Sequence, residues 1–144
     1  MTKIHFVGIK GAGISALAQL YARMGYEVSG SDSNDVFFTD ELLSNAGITY
    51  IGTPSPERVE GVDLVCYSTA YNHEHVEIKR ALEIGIPLYT YSELLGELTK
   101  QRQAVLVSGT HGKTTTTSMI GAMLTEANRD PMVVIGSKNY NIGS

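Results

Sequence analysis

Two short stretches of this chain, residues 8–13 (GIKGAG) and 109–115 (GTHGKTT), each place glycines between an apolar run rich in β-branched residues and a helical pattern. A strand that turns sharply through glycine into a helix is the opening of a βαβ unit, and helices returning over a sheet make its strands parallel. The spacing along the chain continues that rhythm. Strands are predicted at 4–9, 27–30, 49–51, 62–68 and from 87 to 89. Between them run a helix carrying Ile14, Leu17, Ala18, Tyr21 and Met24 and stopped by Gly25, a short helix from Thr39 that ends before Gly47, and a helix over 75–83 ended at Gly85. Val76, Ile78, Ala81 and Leu82 are available for packing in the third. The Thr39 hydroxyl is expected to cap its helix, with Asp40 and Glu41 favourably placed against the dipole. The run 62–68 reads as a central strand buried on both faces. A short helix over 92–98 completes the set, and the expected architecture is an α/β fold with a mostly parallel sheet flanked by helices.

At residues 99–103 (TKQRQ) the composition turns polar, and a domain boundary is expected there, with one domain over 1–102 and another beginning at 103. The second unit has a predicted strand at 104–108, a helix at 114–126 and a strand at 132–135, too few elements to close a core. Residues 103–144 are therefore expected to be the incomplete, truncated start of a domain. Such a remnant exposes apolar surface unless it packs on the first domain or on another chain, which would favour dimerisation.

With 144 residues, 42% of them apolar and 18% charged, the chain has material for one good core. A net charge of −4 without any Lys/Arg run argues against a nucleic-acid partner, because phosphate backbones are bound by clustered cations. Cys66 is the single cysteine, which excludes an intramolecular disulfide and is compatible with a reducing cytoplasm. Residues 1–6 carry no basic-then-apolar leader, and no apolar run approaches the roughly 20 residues of a membrane-spanning helix. A soluble, unprocessed protein is expected.

The second glycine turn carries the stronger chemical signal. Glycines let successive N–H groups of Gly109, Thr110, His111 and Gly112 point at phosphate oxygens, Lys113 neutralises the β and γ phosphates, and the Thr114 or Thr115 hydroxyl can ligate magnesium (Mg2+). That pattern is an ATP site, with Lys113 as the catalytic cation. Val107 stands where the general P-loop spelling has its first glycine, so a different loop subclass is indicated. Thr114 to Thr117 are poor helix formers, which is easier to understand if some of them bind a ligand. His111 could touch phosphate or base, or merely shape the loop.

The first turn spells G-x-x-G-x-G rather than the dinucleotide fingerprint G-x-G-x-x-G, yet backbone N–H groups at a helix N-terminus still suit a diphosphate. Asp32 lies about 20 residues further on, where an acidic residue commonly meets a ribose hydroxyl, and the alternative is a solvated loop carboxylate. Ser68, Thr69 and Ala70 follow a strand at the carboxyl edge where open α/β sheets bind ligands, or simply end it. His73 and His75 lack a third ligand, and no metal is assigned to them.

In order and spacing these motifs resemble the Mur ligases. The matching stretches are HFVGIKGAGISALA at 5–18, GSD at 30–32, STA at 68–70, GTHGKTTTT at 109–117 and VVIGSKNYNIG at 133–143, and GIKGAGIS fits the alanine-adding branch best. The departures are small: Ile14 stands where many relatives carry Met, and Lys10 fills a variable slot. The resemblance implies a Rossmann-like domain that binds the UDP moiety of UDP-N-acetylmuramate, then a P-loop ATPase domain that binds ATP and magnesium. It implies that Gly11, Ala12, Gly13, Ile14, Ser31 and Asp32 contact UDP with Ser68 and Thr69 nearby. It also implies an acyl-phosphate mechanism in peptidoglycan precursor synthesis, with L-alanine as the second substrate. Residues 1–144 alone would lack further magnesium ligands and an amino-acid-binding domain, and are expected to bind the UDP-sugar without ligating. Three rivals remain: a murein-peptide recycling ligase acting on the same UDP-sugar, a nicotinamide-dependent oxidoreductase, and a non-enzymatic UDP-sugar-binding module.

Overall fold

The computed structural model describes residues 1–100 and 102–135. Five strands, β1 (Lys3–Val7), β2 (Glu27–Ser31), β3 (Thr49–Ile51), β4 (Leu64–Tyr67) and β5 (Leu88–Thr90), alternate with helices α1 (Ala12–Arg23), α2 (Thr39–Asn45), α3 (Val76–Glu83) and α4 (Tyr91–Lys100). A 3-10 turn at Pro56–Val59 precedes β4, and α5 (Lys113–Glu126) follows the sheet-forming part. Every pairing is parallel and the spatial order is β3-β2-β1-β4-β5. The expected α/β class therefore holds. The centre of the sheet is β1, however, and β4, expected there, stands beside it. Both strands read as apolar runs, and hydrophobicity alone does not tell which of two buried strands is in the middle.

Alternation along β1 sorts its side chains onto two faces. Ile4 and Phe6, both fully buried, join Leu17, Ala18 and Tyr21 of α1, Leu43 of α2, and Leu94 and Leu98 of α4 in the larger core. Val7 joins Val65, Val59, Ile78 and Ala81 in a smaller core under α3 and the 3-10 turn. Each fully buried Leu, Ile or Phe contributes about 1.5–3 kcal/mol. His5 shares the face of Val7, which puts a polar side chain under α3. Of the four α3 residues expected to pack, Ile78 and Ala81 are buried, while Val76 and Leu82 are 48% and 51% exposed.

Two local expectations are corrected. Phe38, not Thr39, is the N-cap of α2, and the Thr39 hydroxyl donates instead to the Lys10 carbonyl at 2.6 Å. Segments 104–108 and 132–135 are not strands. A strand exists only through a neighbour's N–H and C=O groups, and no strand partner for either segment lies among the described residues. Val105 and Leu106 are accordingly 66% and 78% exposed, and Gly121 is the one buried residue of α5. The part of the motif at 133–143 that falls on 136–143 lies outside the described residues. Among the described residues no helix is long and apolar enough to cross a membrane.

Gly30 is where β2 passes tightly over the start of the first turn. A Cβ there would stand 2.6 Å from the Phe6 carbonyl oxygen and 2.6 Å from Ile9 Cδ1. Since a backbone oxygen cannot swing away, Gly30→Ala should cost about 2–3 kcal/mol, read as a lower urea midpoint at unchanged slope. A midpoint equal to that of the parent chain would show that β1 and β2 are not packed this closely.

Candidate functional site

Strand β1 has neighbours on both sides whose chains leave in different directions, and in open α/β sheets ligands bind in the crevice outside the carboxyl ends of such strands. The first glycine turn fills one side of that crevice. Gly8 takes φ +79°, and the N–H groups of Gly8 and Ile9 both donate to the Ser31 carbonyl, at 2.8 and 3.2 Å. The Lys10 N–H donates to Asp32 Oδ2 at 2.7 Å, and the Gly11 N–H to the Gly8 carbonyl at 3.1 Å. The first bond of α1 runs from Ser15 N–H to the Gly11 carbonyl at 2.8 Å. The N–H groups of Ala12, Gly13 and Ile14 thus open the helix ahead of its first bond, and the helix dipole places partial positive charge there. Gly11 is exposed, whereas Gly13 is needed for packing, since a Cβ on it would stand 3.3 Å from the Tyr91 ring. The Ile14 side chain is turned into the core.

The segment after β4 borders the same turn. Ser68 N–H donates to the Val7 carbonyl at 3.0 Å, Ser68 is half-buried and Thr69 is exposed. Tyr71, whose N–H donates to the Ser68 carbonyl at 3.0 Å, lays its ring on Gly8, where a Cβ would come within 2.6 Å of it. The structure therefore brings Gly11, Ala12, Gly13, Ser68 and Thr69 to one edge.

Ser31 and Asp32 reach that edge differently from what their positions suggest. Asp32 is buried, with Oδ1 accepting from Ser33 N–H at 2.7 Å and from the Tyr71 hydroxyl at 3.3 Å. Its carboxylate is thus neither solvated nor free; it braces the turn. Burial, and then the Asp32 charge, push the Tyr71 hydroxyl pKa up. Lys10, in a slot that looked variable, is also buried. Its Nζ donates to the Asp35 carbonyl at 2.7 Å, lies 3.3 Å from Asp40 Oδ1 and sits 5.8 Å over the Phe37 ring. With the Thr39 hydroxyl on its carbonyl, Lys10 fastens the segment after β2 to the glycine turn.

The Ser31 side chain is wholly buried and donates to a carboxylate oxygen of Glu77, a residue that sequence reasoning missed. Glu77, fully buried in the first turn of α3, also accepts Ser55 N–H at 3.1 Å and lies 3.5 Å from His5 Nε2. His5 Nδ1 is 3.0 Å from Ser29 Oγ. Burial alone would raise the Glu77 pKa, but contacts to His5, Ser31 and Ser55 outweigh it and hold the carboxyl below its ordinary value. The available signal was a histidine inside an apolar strand. His75 caps α3 by accepting Glu77 N–H at 3.4 Å and packs on Tyr71 with ring centroids 4.8 Å apart, and His73 packs on Tyr67 at 6.3 Å. Burial lowers the His75 pKa.

Among the described residues no strand flanks the second turn. Gly112 takes φ +75° and is the N-cap of α5, whose first bond runs from Thr116 N–H to the Gly112 carbonyl at 2.9 Å. The N–H groups of Lys113, Thr114 and Thr115 therefore precede it. Lys113 Nζ folds back over the loop, donating to the Gly109 carbonyl at 2.6 Å and lying 3.5 Å from that of Thr110. Residues 109–116, His111 among them, are exposed. Hydroxyl oxygens of Thr114 and Thr115 beside a lysine suit hard, oxygen-seeking ligands such as a magnesium–phosphate pair. Among the described residues no group of three His, Cys, Asp or Glu side chains could hold a metal ion.

Comparison with known proteins gives a consistent set. A sequence profile described as "Mur ligase family, catalytic domain" matches residues 3–103. The UDP-N-acetylmuramate–L-alanine ligase of Desulfitobacterium hafniense is 48% identical over 97% of this chain, and that of Chlorobium chlorochromatii 45% identical over 99%. The chain spans 31% of the length of each. Among solved structures, the UDP-N-acetylmuramate-alanine ligase of Thermotoga maritima matches with TM-score 0.82 at 32% identity, over 91% of this chain and 31% of that one. The UDP-N-acetylmuramate:L-alanyl-gamma-D-glutamyl-meso-diaminopimelate ligase of Neisseria meningitides matches with TM-score 0.87 at 29% identity, over 99% of this chain and 45% of that one.

The Glu77 carboxylate gives stability a defined pH dependence. Its folded pKa lies below the ordinary value of 4.5, so its contribution is complete above about pH 4.5 and is lost as pH falls through the folded value. The difference in unfolding free energy between the parent chain and Glu77→Gln should therefore be flat from neutral pH down to about 4.5 and shrink below it. A difference that grows on acidification would mean that Glu77 is buried as the neutral acid.

Proposed function

The chain belongs to the Mur ligase family, and on that premise we propose that residues 1–102 dock UDP-N-acetylmuramate. Residues 103–144 supply the first part of an ATP and magnesium site, and the protein of which both form part ligates L-alanine to the muramate carboxylate in peptidoglycan precursor synthesis. The observation that carries this reading is the helix start at Ala12, Gly13 and Ile14, set at the crevice of a parallel sheet. The 48% identity to an alanine-adding ligase favours L-alanine over a murein peptide.

The diphosphate of the UDP-sugar meets the three N–H groups, with exposed Gly11 leaving the backbone approachable and Ser68 and Thr69 bordering the sugar nucleotide. Ser31 and Asp32 act by holding the turn. In the ligation, a muramate carboxylate oxygen attacks the γ phosphorus of ATP and ADP departs, leaving an acyl phosphate. The amine of L-alanine then attacks the acyl carbon, phosphate leaves with the carboxyl-derived oxygen, and the amine loses a proton. Lys113 supplies a cation next to the transferring phosphoryl, and its ammonium has donors beyond the Gly109 carbonyl. Thr114 or Thr115 would hold magnesium together with phosphate oxygens, and the metal would neutralise phosphoryl charge.

A nicotinamide-dependent oxidoreductase is disfavoured by the same geometry. Asp32, which would have to meet a ribose, is engaged by Lys10 N–H, Ser33 N–H and the Tyr71 hydroxyl. Cys66 is buried with its thiol pushed up to about 12, an unreactive cysteine that suits the cytoplasm in which we place the protein.

Two substitutions separate the two sites. Gly11 has ordinary dihedrals for any residue, φ −59° and ψ 137°, and a Cβ there would stand 3.2 Å from Ile14 Cγ2, so Gly11→Asp should lower the melting temperature only slightly, better capping offsetting part of the tight contact. The new carboxylate should nonetheless weaken UDP-N-acetylmuramate binding on the order of tenfold to a hundredfold in calorimetric titration, with ATP affinity unaffected. Lys113→Ala, at an exposed site, should weaken ATP and spare the UDP-sugar. Unaltered UDP-sugar affinity in Gly11→Asp would remove the first turn from the ligand site.

A further inference from the structure

Resting on the UDP-sugar reading, we infer that Glu77 is a positioning residue of the first phosphate turn, acting through Ser31 from inside the smaller core. Glu77 touches no part of the crevice. Its carboxylate instead gathers three separate pieces of the fold: the Ser31 hydroxyl at the end of β2, the Ser55 N–H ahead of the 3-10 turn at 3.1 Å, and His5 of β1 at 3.5 Å. The Ser31 carbonyl is the acceptor for both Gly8 and Ile9 N–H groups. A shift of Ser31 therefore moves the turn whose next residues present the free helix donors.

This arrangement is poorly explained as packing. A buried carboxylate is costly, and replacing such a group by apolar side chains of similar volume is often neutral or stabilising. The buried side-chain atom without a hydrogen-bond partner among the described residues is His5 Nε2, in the same cluster. The cluster thus holds a desolvated charge beside a histidine nitrogen that faces it at 3.5 Å without a well-formed hydrogen bond, and it lies directly beneath the strand end that suspends the turn. Polar Ser29 and Ser31 occupy alternate positions of β2 on the face toward α3, and between them Gly30 faces the larger core next to Phe6 and Ile9. The polar face of β2 is the side from which the turn is held. His75, the N-cap of α3 two residues before Glu77, packs edge-on against Tyr71, which packs on Gly8 and donates to Asp32, so a second route ties α3 to the same turn.

The test pairs Glu77→Gln with Ser31→Ala and the double variant, with two readouts taken where the variants are fully folded. The first is amide hydrogen exchange at Gly8 and Ile9, which needs no ligand; exchange at both should quicken roughly tenfold in Glu77→Gln while amides of β5 keep their rates. The second is affinity for UDP-N-acetylmuramate, which should fall roughly tenfold with ATP affinity unchanged, the double variant being no weaker than Glu77→Gln alone because both act on one bond. Parent-like exchange at Gly8 and Ile9, or losses in affinity that add in the double variant, would overturn the inference. If Glu77→Gln does not fold, Ser31→Ala decides alone by the same two readouts, since it leaves the carboxylate on Ser55. A parent chain that binds no UDP-sugar would count against the proposed function, and the exchange readout would still decide the role of Glu77.

Discussion

Three consecutive backbone donors, the N–H groups of Gly8, Ile9 and Lys10, are taken up by two consecutive residues at the end of β2, the first two by the Ser31 carbonyl and the third by the Asp32 carboxylate. This suspension organises the carboxyl edge of the sheet. A buried donor left unsatisfied costs about 1–3 kcal/mol, so the turn cannot drift from β2 without a large penalty. With Gly11 N–H spent on the Gly8 carbonyl, Ala12, Gly13 and Ile14 are the donors left over, and they are gathered in one helical turn. Lys10 and Tyr71 then close the frame from either side, one toward the segment after β2, the other toward β4.

The two glycine turns share a sequence logic and differ in their support. The first is held by β2, β4 and the buried Glu77 cluster. The second closes on itself through Lys113 Nζ and the Gly109 carbonyl, with Val105, Leu106, Met119 and Met123 exposed around it. The Lys113 ammonium is thus held over its own loop while remaining exposed to solvent.

Much of the fold was legible in the sequence because its signals are local. Glycine between a strand and a helix, helical spacing from Ile14 to Tyr21, and short apolar runs each report on neighbours within a few residues. What escaped is what depends on distant partners. An apolar run at 104–108 is a strand only if another strand lies beside it. Asp32 read as a ribose ligand or a solvated loop carboxylate, and the sequence did not show that it is buried and braces the turn, because its partners lie 22 and 39 residues away at Lys10 and Tyr71. Glu77, 46 residues from Ser31, looked like an ordinary acidic residue in the first turn of a helix, and only His5, polar between Ile4 and Phe6, hinted that the sheet hides a charged partner.

The most direct measurement is a 15N-resolved NMR titration of the chain with UDP-N-acetylmuramate, using NADH as a parallel ligand. If the helix start after β1 is the diphosphate site, amide shifts of Ala12, Gly13 and Ile14 should move saturably with the UDP-sugar, those of Lys113, Thr114 and Thr115 should stay, and NADH should move neither. Movement at α5 with no change at Ala12, Gly13 and Ile14, or a response of those three to NADH alone, would contradict the assignment of the first turn to a UDP-sugar.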